Sequence, residues 1–306
     1  MSLWSGLRAW VHRRVERKAR KDSERNSTFQ WFLLAGFCDR QAVSKPHTDR
    51  LNPIYPPGDR FWADPFVWRQ EGRYFLFFEE YPYATRRGHI SVMEIGEDAR
   101  PLGVGKPVIQ EPYHLSYPFL FEFDGELYMV PEKKAKRRVD IYRCTRFPDQ
   151  WAVVKTIFTG VKMVDCTLFE HEGRWWLFSS IKRNRLRYDE TLCAYYADNP
   201  LSNHWTPHKL NPLMRDFAKA RPGGRILRSA DGRLLRPSQD CVRRYGDGLN
   251  ISEITRLTPD DFEEHSIWHQ SGETAGWHAM HHLDWHEGLM VMDAQRVLSH
   301  NPDPKG

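Results

Sequence analysis

The sequence predicts an all-β protein, a five-bladed β-propeller with a short N-terminal amphipathic helix, and three observations predict it. Composition comes first: 306 residues carry 13% aromatic side chains, with 12 Trp, 12 Tyr and 17 Phe beside 20 Gly and 20 Pro. That mixture suits short strands and tight turns better than a helical bundle. Second, an acidic residue followed by glycine, flanked by strand-like runs, recurs at Gly72 (FVWRQEGRYFLFF), Gly125 (FLFEFDGELYMV), Gly173 (TLFEHEGRWWLF), Gly232 (RILRSADGRLLR) and Gly288 (HLDWHEGLMVM). Asp-Gly or Glu-Gly between two such runs signals a hairpin. Third, these glycines are 53, 48, 59 and 56 residues apart, close to the ~40–50 residues of a four-stranded blade. A β-sandwich offers a similar number of strands but no reason for a repeat of this period.

In chain order, residues 1–30 are expected to form the helix. Leu3, Trp4, Leu7, Trp10, Val11 and Val15 recur every three or four positions, which places them on one face. Residues 1–25 hold eight basic side chains against three acids, the whole of the chain's net charge of +5. A basic helix with Trp on its apolar side suits an anionic membrane surface; the plainer reading is a helix packed across the domain with solvated Arg. Residues 31–59 read as a lead-in, 60–300 as the five-bladed ring, and 301–306 as a tail. Turn-rich links such as 96–107 and 199–213 fall between the repeats.

The body beyond residue 25 balances 37 basic against 37 acidic side chains, so nucleic acid is not an expected partner. No run approaches the ~20 apolar residues of a membrane span, and no apolar signal-peptide core opens the chain. The expected location is the cytoplasm, with a membrane-peripheral placement if the helix binds lipid. Five Cys without a CxxC pair indicate neither a disulfide framework nor a zinc ribbon.

The repeat aligns the blades internally. Eight residues before the hairpin glycine stand Asp64, Tyr117 and Asp165; seven after it stand Glu79, Glu132, Ser180, Gln239 and Gln295. A hairpin returns the chain to its starting end, so both sets share one end of the sheet. With the first strand innermost they converge on the mouth of the central channel. Carboxylates gathered there suit glycosyl transfer, which needs one ionised group and one that keeps its proton. Burial beside like charges separates such proton affinities. Asp64, Asp165 and Glu132 are therefore the candidate catalytic residues. Strand-end capping is the alternative role for the two Asp.

Substrate-binding candidates are Glu79, His114 and Tyr117, together with Arg221, Arg236, Gln239, Asp240, His281 and His282. The arginines, with Arg225, come from AKARPGGRIL (218–227) and RPSQDC (236–241) and suit forked bonds to a phosphate or to sugar hydroxyls. Phe61, Trp62, Tyr81, Tyr83 and Tyr113 are placed near the same rim, where they can stack on pyranose rings or pack in the core. His278, His281, His282 and His286 do not share a strand face, and no metal site is expected. Neither GxGxxG nor GxxxxGK[ST] occurs, so no cofactor is expected.

Taken together, ADPF at Asp64, YHLSYPF (113–119) with PE at Glu132, VDCTLFEHEGRWWLF (164–178), ARPGGR (220–225) and RPSQDC resemble the propeller domain at the amino end of glucosamine inositolphosphorylceramide transferases and its stand-alone bacterial relatives. More distantly the chain is similar to five-bladed glycoside hydrolases of the arabinanase, β-xylosidase and invertase types. That resemblance implies a base or nucleophile at Asp64 and an acid-tuning role for Asp165. ARPGGR lacks the acid Glu of the xylosidase type, and Glu132 would have to replace it. The expected function is glycosyl transfer in cell-surface polysaccharide or glycolipid synthesis, between a sugar donor and a glycan or glycolipid acceptor. In that scheme Asp64 is the base, Asp165 and Glu132 position the sugar, and Arg221 and Arg236 steady a phosphate leaving group. A glycoside hydrolase and a non-catalytic glycan-binding propeller are the alternatives.

Overall fold

The computed structural model describes residues 28–182 and 187–298, and these form five antiparallel sheets arranged as a propeller. From the axis outward, blade 1 comprises Arg60–Gln70, Arg73–Pro82, His89–Ile95 and Lys106–Ile109. Blade 2 comprises Ser116–Phe123, Glu126–Glu132, Arg138–Arg146 and Gln150–Thr159. Blade 3 comprises Met163–His171, Arg174–Ile181, Thr191–Ala197 and Thr206–Pro207, with Met214–Arg215 also paired to Thr191–Ala197. Blade 4 comprises Leu227–Arg228, Leu234–Asp240, Gly248–Leu257 and Phe262–Ser271.

Blade 5 departs from expectation. Its inner strands Leu283–His286 and Leu289–Leu298 are completed by Thr28–Phe37 and Asn52–Ile54 from the other end of the chain. The pairing runs from Thr28 opposite Leu298 to Phe37 opposite Leu289. The segment expected as a lead-in therefore supplies two strands of the closing blade. This join seals the ring and covers an edge that would otherwise be open. The predicted helix falls in residues 1–27, outside the described residues, as does the tail; Thr28–Gln30, assigned to that helix, begin a strand. No helix among the described residues is long and apolar enough to cross a membrane.

The five acid-Gly signals lie at the five inner hairpins. In four of them both turn residues have positive φ: 51° and 78° at Glu71-Gly72, 51° and 71° at Asp124-Gly125, 50° and 73° at Glu172-Gly173, 47° and 103° at Glu287-Gly288. This is the turn whose twist matches that of the flanking strands. The fourth hairpin is longer, and Ser229 Oγ accepts the Arg233 N–H at 2.9 Å to close it.

The abundant aromatics mostly fill the spaces between blades, with edge-to-face pairs such as Phe75–Phe147 and Phe77–Trp151 at 4.7 and 5.7 Å. Below the mouth, polar side chains plug the channel. The Tyr117 hydroxyl meets Thr167 Oγ1 at 2.7 Å and accepts the Gly224 N–H at 3.1 Å, tying blades 2, 3 and 4. Gly224 has φ 139°, and a Cβ there would lie 1.8 Å from the Leu283 carbonyl oxygen, so no larger residue fits. Beneath, Arg225 bonds Asp284 at 2.8 Å and the Leu120 carbonyl at 2.7 Å, while Asp284 also accepts the Val67 N–H.

Candidate functional site

Three inner strands share one distortion. Asp64, Tyr117 and Asp165 have φ of 52°, 46° and 54°, at ladder irregularities between Ala63 and Phe66, Ser116 and Phe119, and Val164 and Thr167. Gly224, eight residues before Gly232, holds the matching place ahead of the fourth hairpin. Left-handed backbone on a non-glycine residue costs on the order of 1 kcal/mol or more and persists where the surroundings enforce it. A bulge of this kind re-aims a side chain. The register sets Glu79 opposite Ala63 and Glu132 opposite Ser116, at the same end of the blades.

Carboxylates from four blades consequently meet there. Asp64 is buried; its Oδ2 accepts the Tyr117 N–H at 3.2 Å, and its own N–H donates to Asp293 Oδ2 at 2.9 Å. Burial pushes the Asp64 carboxyl up to about 7, with His281 opposing the rise and Asp293 and Asp165 adding to it. Glu132 is pushed up to about 8 by burial and by Asp165, against the pull of Lys134, whose Nζ lies 3.8 Å from Oε1. Glu79 is raised well above the usual range by burial, then by Asp64 and Glu132. Near neutral pH the mouth thus contains acids that keep their protons beside one poised to lose its own.

Cations and imidazoles border this group. Arg221 Nε reaches Asp165 Oδ2 at 2.7 Å and its Nη1 reaches Asp189 Oδ1 at 2.9 Å, while the guanidinium lies over the Tyr245 ring. His281 donates from Nδ1 to Asp293 Oδ1 at 2.7 Å, and its Nε2 faces Asp64 Oδ1 at 3.5 Å. Trp31 stacks on that imidazole at 4.2 Å. His114 accepts the Gly88 N–H through Nδ1 at 2.9 Å, which leaves Nε2 3.4 Å from Glu79 Oε1. Burial brings His114 and His282 down to about 4. Phe61 and Tyr81 stack at 4.6 Å on the blade 1 rim, and Tyr81 meets His114 edge-on.

The structure therefore gathers Asp64, Asp165, Glu132, Glu79, His114, Arg221 and His281 at the mouth. Tyr117 and His282 lie beneath it as buried packing partners of Phe66. Five other expected side chains are engaged within the fold. Arg236 is wholly enclosed in blade 4, held by Glu264 at 2.6 Å and the Lys219 carbonyl at 2.8 Å. Arg225 belongs to the channel plug. Gln239 is buried and donates to the Pro222 carbonyl, bracing the loop that carries Arg221. Asp240 accepts the Val242 N–H and pairs with His269 on the outer strand. Trp62 packs against Phe78 in the core.

Sequence reasoning missed Asp293, Trp31, Tyr245, Asp189 and Lys134. Asp293 left a signal: it stands five residues after the hairpin glycine, where the other units have Phe77, Val130, Phe178 and Pro237. Asp64, His281 and Asp293 also present one potential metal-ligand atom each within 4.8 Å of one another. Asp293 is already engaged, however. Its Oδ1 accepts the N–H groups of His281 and His282 and the His281 ring, and its Oδ2 accepts Asp64. A cation would have to break these bonds, and the trio reads as a hydrogen-bonded chain.

The family model described as glucosamine inositolphosphorylceramide transferase 1, N-terminal, matches residues 54–296. Glucosamine inositolphosphorylceramide transferase 1 of Oryza sativa subsp. japonica is 35% identical over 263 residues, 80% of this chain and 34% of that protein. Its counterpart from Arabidopsis thaliana is 35% identical over 210 residues, 67% of this chain and 27% of that one. The chain thus spans about a third or less of the curated relatives it matches. An exo-β-1,3-galactanase from Clostridium thermocellum has a similar fold, with a TM-score of 0.52 at 11% identity, covering 85% of this chain and 55% of that one.

Proposed function

This chain belongs to the family of the N-terminal domain of glucosamine inositolphosphorylceramide transferase, and on that premise we propose that it is a carbohydrate-active enzyme moving a glycosyl group onto an acceptor hydroxyl. The observation that carries the reading is the pairing of Asp64, with its carboxyl near 7, and Glu132, near 8, in one enclosed group of acids at the channel mouth. Asp64 takes the proton of the attacking hydroxyl as that oxygen bonds to the anomeric carbon. Glu132 gives its proton to the departing oxygen as the old glycosidic bond breaks. Asp165, fixed by Arg221, supplies negative charge beside the oxocarbenium-like transition state. The stacked Phe61 and Tyr81 offer an apolar wall for a sugar ring.

Among the described residues, the two arginines expected to hold a phosphate leaving group are already engaged. Arg236 is buried against Glu264, and Arg221 is divided between Asp165 and Asp189. A leaving oxygen that takes a proton from Glu132 fits a glycosidic donor better than a sugar phosphate. The names of the relatives support a glycolipid as acceptor. A glycosidic donor also suits water in the acceptor's place, which makes the enzyme a glycoside hydrolase with the same two residues in the same roles.

The test is product analysis after incubating the chain with neutral oligosaccharides, aryl glycosides and nucleotide sugars, with and without glycolipid acceptors. Expected is consumption of a glycosidic donor, reduced at least ~100-fold in Asp64→Asn and Glu132→Gln, with donor binding retained. Oligosaccharide binding without turnover would reduce the site to a binding module, and turnover of a nucleotide sugar alone would overturn the donor assignment.

A further inference from the structure

The ring-closing strand Thr28–Phe37 does more than pair with Leu289–Leu298. Successive residues of a strand face opposite sides of the sheet, so Phe29 and Trp31 share one side while Phe32 and Leu34 pack into the core on the other. Trp31 stands opposite Gln295 in the ladder. The segment ahead of the inner strand is laced to that same residue. The His278 N–H donates to the Gln295 carbonyl at 2.7 Å, and the Gln295 N–H donates to the Ala279 carbonyl at 2.8 Å. This lacing sets two histidines against two aromatic rings: Phe29 stacks on His278 at 4.4 Å and Trp31 on His281 at 4.2 Å. Of the two histidines, His281 faces the acids of the mouth.

Trp31 is 8% exposed and wedged among three parts of the site. It covers the His281 ring, and it packs with Ala63, the residue before Asp64, and with Ala279 and Phe61. Tyr245 meets its ring edge-on at 6.5 Å and the His281 ring edge-on at 5.2 Å. Gly246 makes this packing possible, since a Cβ there would lie 2.9 Å from His281 Cβ and 3.2 Å from Trp31 Cη2. Within its side chain, His281 is held to Asp293 through Nδ1 at 2.7 Å. A single hydrogen bond lets the ring pivot. The indole stack fixes the ring plane, and with it the aim of Nε2 at Asp64 Oδ1, 3.5 Å away. Burial works against charge on His281, Asp293 and Asp64 favour it, and Arg221 opposes it. Tyr245 borders both cations, its ring 4.7 Å from the Arg221 guanidinium. An indole face attracts a cation stacked on it, so Trp31 adds to the side that keeps His281 charged.

We propose that Trp31 is a positioning residue for the channel mouth: the ring-closing strand supplies the indole that orients the His281 imidazole toward Asp64, so the site is complete only when the ring is closed. Its consequence for turnover rests on the reading of Asp64 as the base. Removing the indole frees the imidazole to pivot, weakens its charge and withdraws the cation that restrains the Asp64 carboxyl. Asp64 then keeps its proton to higher pH, and the loss falls on kcat rather than on KM.

The experiment compares Trp31→Leu, Trp31→Phe and Phe29→Leu in the full-length chain by two readouts. Nitrogen-15 NMR titration of the imidazoles, with the His281 signal assigned by its loss in His281→Gln, needs no turnover. The pH–rate profile on an aryl glycoside supplies the second. Trp31→Leu is expected to lower the His281 midpoint by about one unit. It is also expected to move the acid limb up and to reduce kcat about tenfold near neutral pH, with KM little changed. Trp31→Phe, which keeps a ring face, is expected to restore most of each. Phe29→Leu removes the neighbouring stack from the same strand and is expected to leave the His281 titration and the profile as in wild type. Unfolding temperatures establish that the three variants are folded. An unmoved His281 midpoint in Trp31→Leu overturns the proposal, as does one that moves equally in Phe29→Leu. A midpoint that moves in Trp31→Leu alone, in a chain that turns over no glycoside, sinks the reading of Asp64 and leaves the placement of His281 by Trp31 standing.

Discussion

The Nδ1 of His281 lies 2.7 Å from Oδ1 of Asp293, an ion pair buried at the edge of the channel mouth. Burial works against the charge on both partners, and each overrides it for the other: His281 titrates above its ordinary value and Asp293 below. The imidazolium then turns its Nε2 toward Asp64 at 3.5 Å and restrains the rise of that carboxyl.

Asp293→Asn removes the anion that keeps His281 charged. On Asp64 the influence of His281 outweighs that of Asp293 itself, so losing both pushes the Asp64 carboxyl higher. The acid limb of the pH–rate profile is expected to move up by about one unit. Breaking a buried pair from one side also costs about 3–5 kcal/mol of stability. A stability loss with an unmoved acid limb would reduce Asp293 to a structural residue.

With Asp64 near 7 as the base and Glu132 near 8 as the acid, kcat/KM is expected to rise as pH passes through about 7 and to fall above about 8. The limbs belong to the coupled group rather than to either residue alone. Glu132→Gln is expected to abolish the alkaline limb and leave the acid limb in place. A profile flat from pH 6 to 9 would remove both residues from the proton transfers.

The same burial has a cost for stability. Glu132 binds its proton more tightly in the folded chain than in the unfolded one, so its contribution is fully present below about 4.5 and is lost as pH rises toward 8. Glu132→Gln, which carries no charge at any pH, is expected to unfold at a higher temperature than wild type at pH 8.5. The gain is about 1–3 kcal/mol, shrinking toward zero near pH 4. Differential scanning calorimetry across that range checks both sign and window.

How much of this was legible in the sequence depends on where each signal resides. The hairpins were readable because the turn demands positive φ at two adjacent residues, which acid-Gly supplies locally. The closing blade was not, because TFQWFLLAGF has no turn of its own and pairs with a strand more than 250 residues away. Counting from the hairpin glycine placed Asp64, Asp165, Glu79 and Glu132 at one end of the ring. It could not reveal the bulges that re-aim Asp64, Tyr117 and Asp165, since a bulge is a relation between two strands. Residue type alone did not separate Arg221, which reaches the mouth, from Arg236, which turns into the blade.

Arg236 provides the sharpest contrast between a binding and a structural role. Its guanidinium is fully enclosed and paired with Glu264 at 2.6 Å, so Arg236→Met strands a buried carboxylate and is expected to cost about 3–5 kcal/mol. Adding Glu264→Leu removes the stranded charge, and the double variant is expected to recover most of that stability with KM unchanged. Arg221→Met acts differently, because Asp165 then loses its partner at the mouth and the fall appears in kcat. Equilibrium urea unfolding together with steady-state kinetics on the three variants separates the cases. A double variant that regains stability but loses substrate affinity would return Arg236 to the binding site.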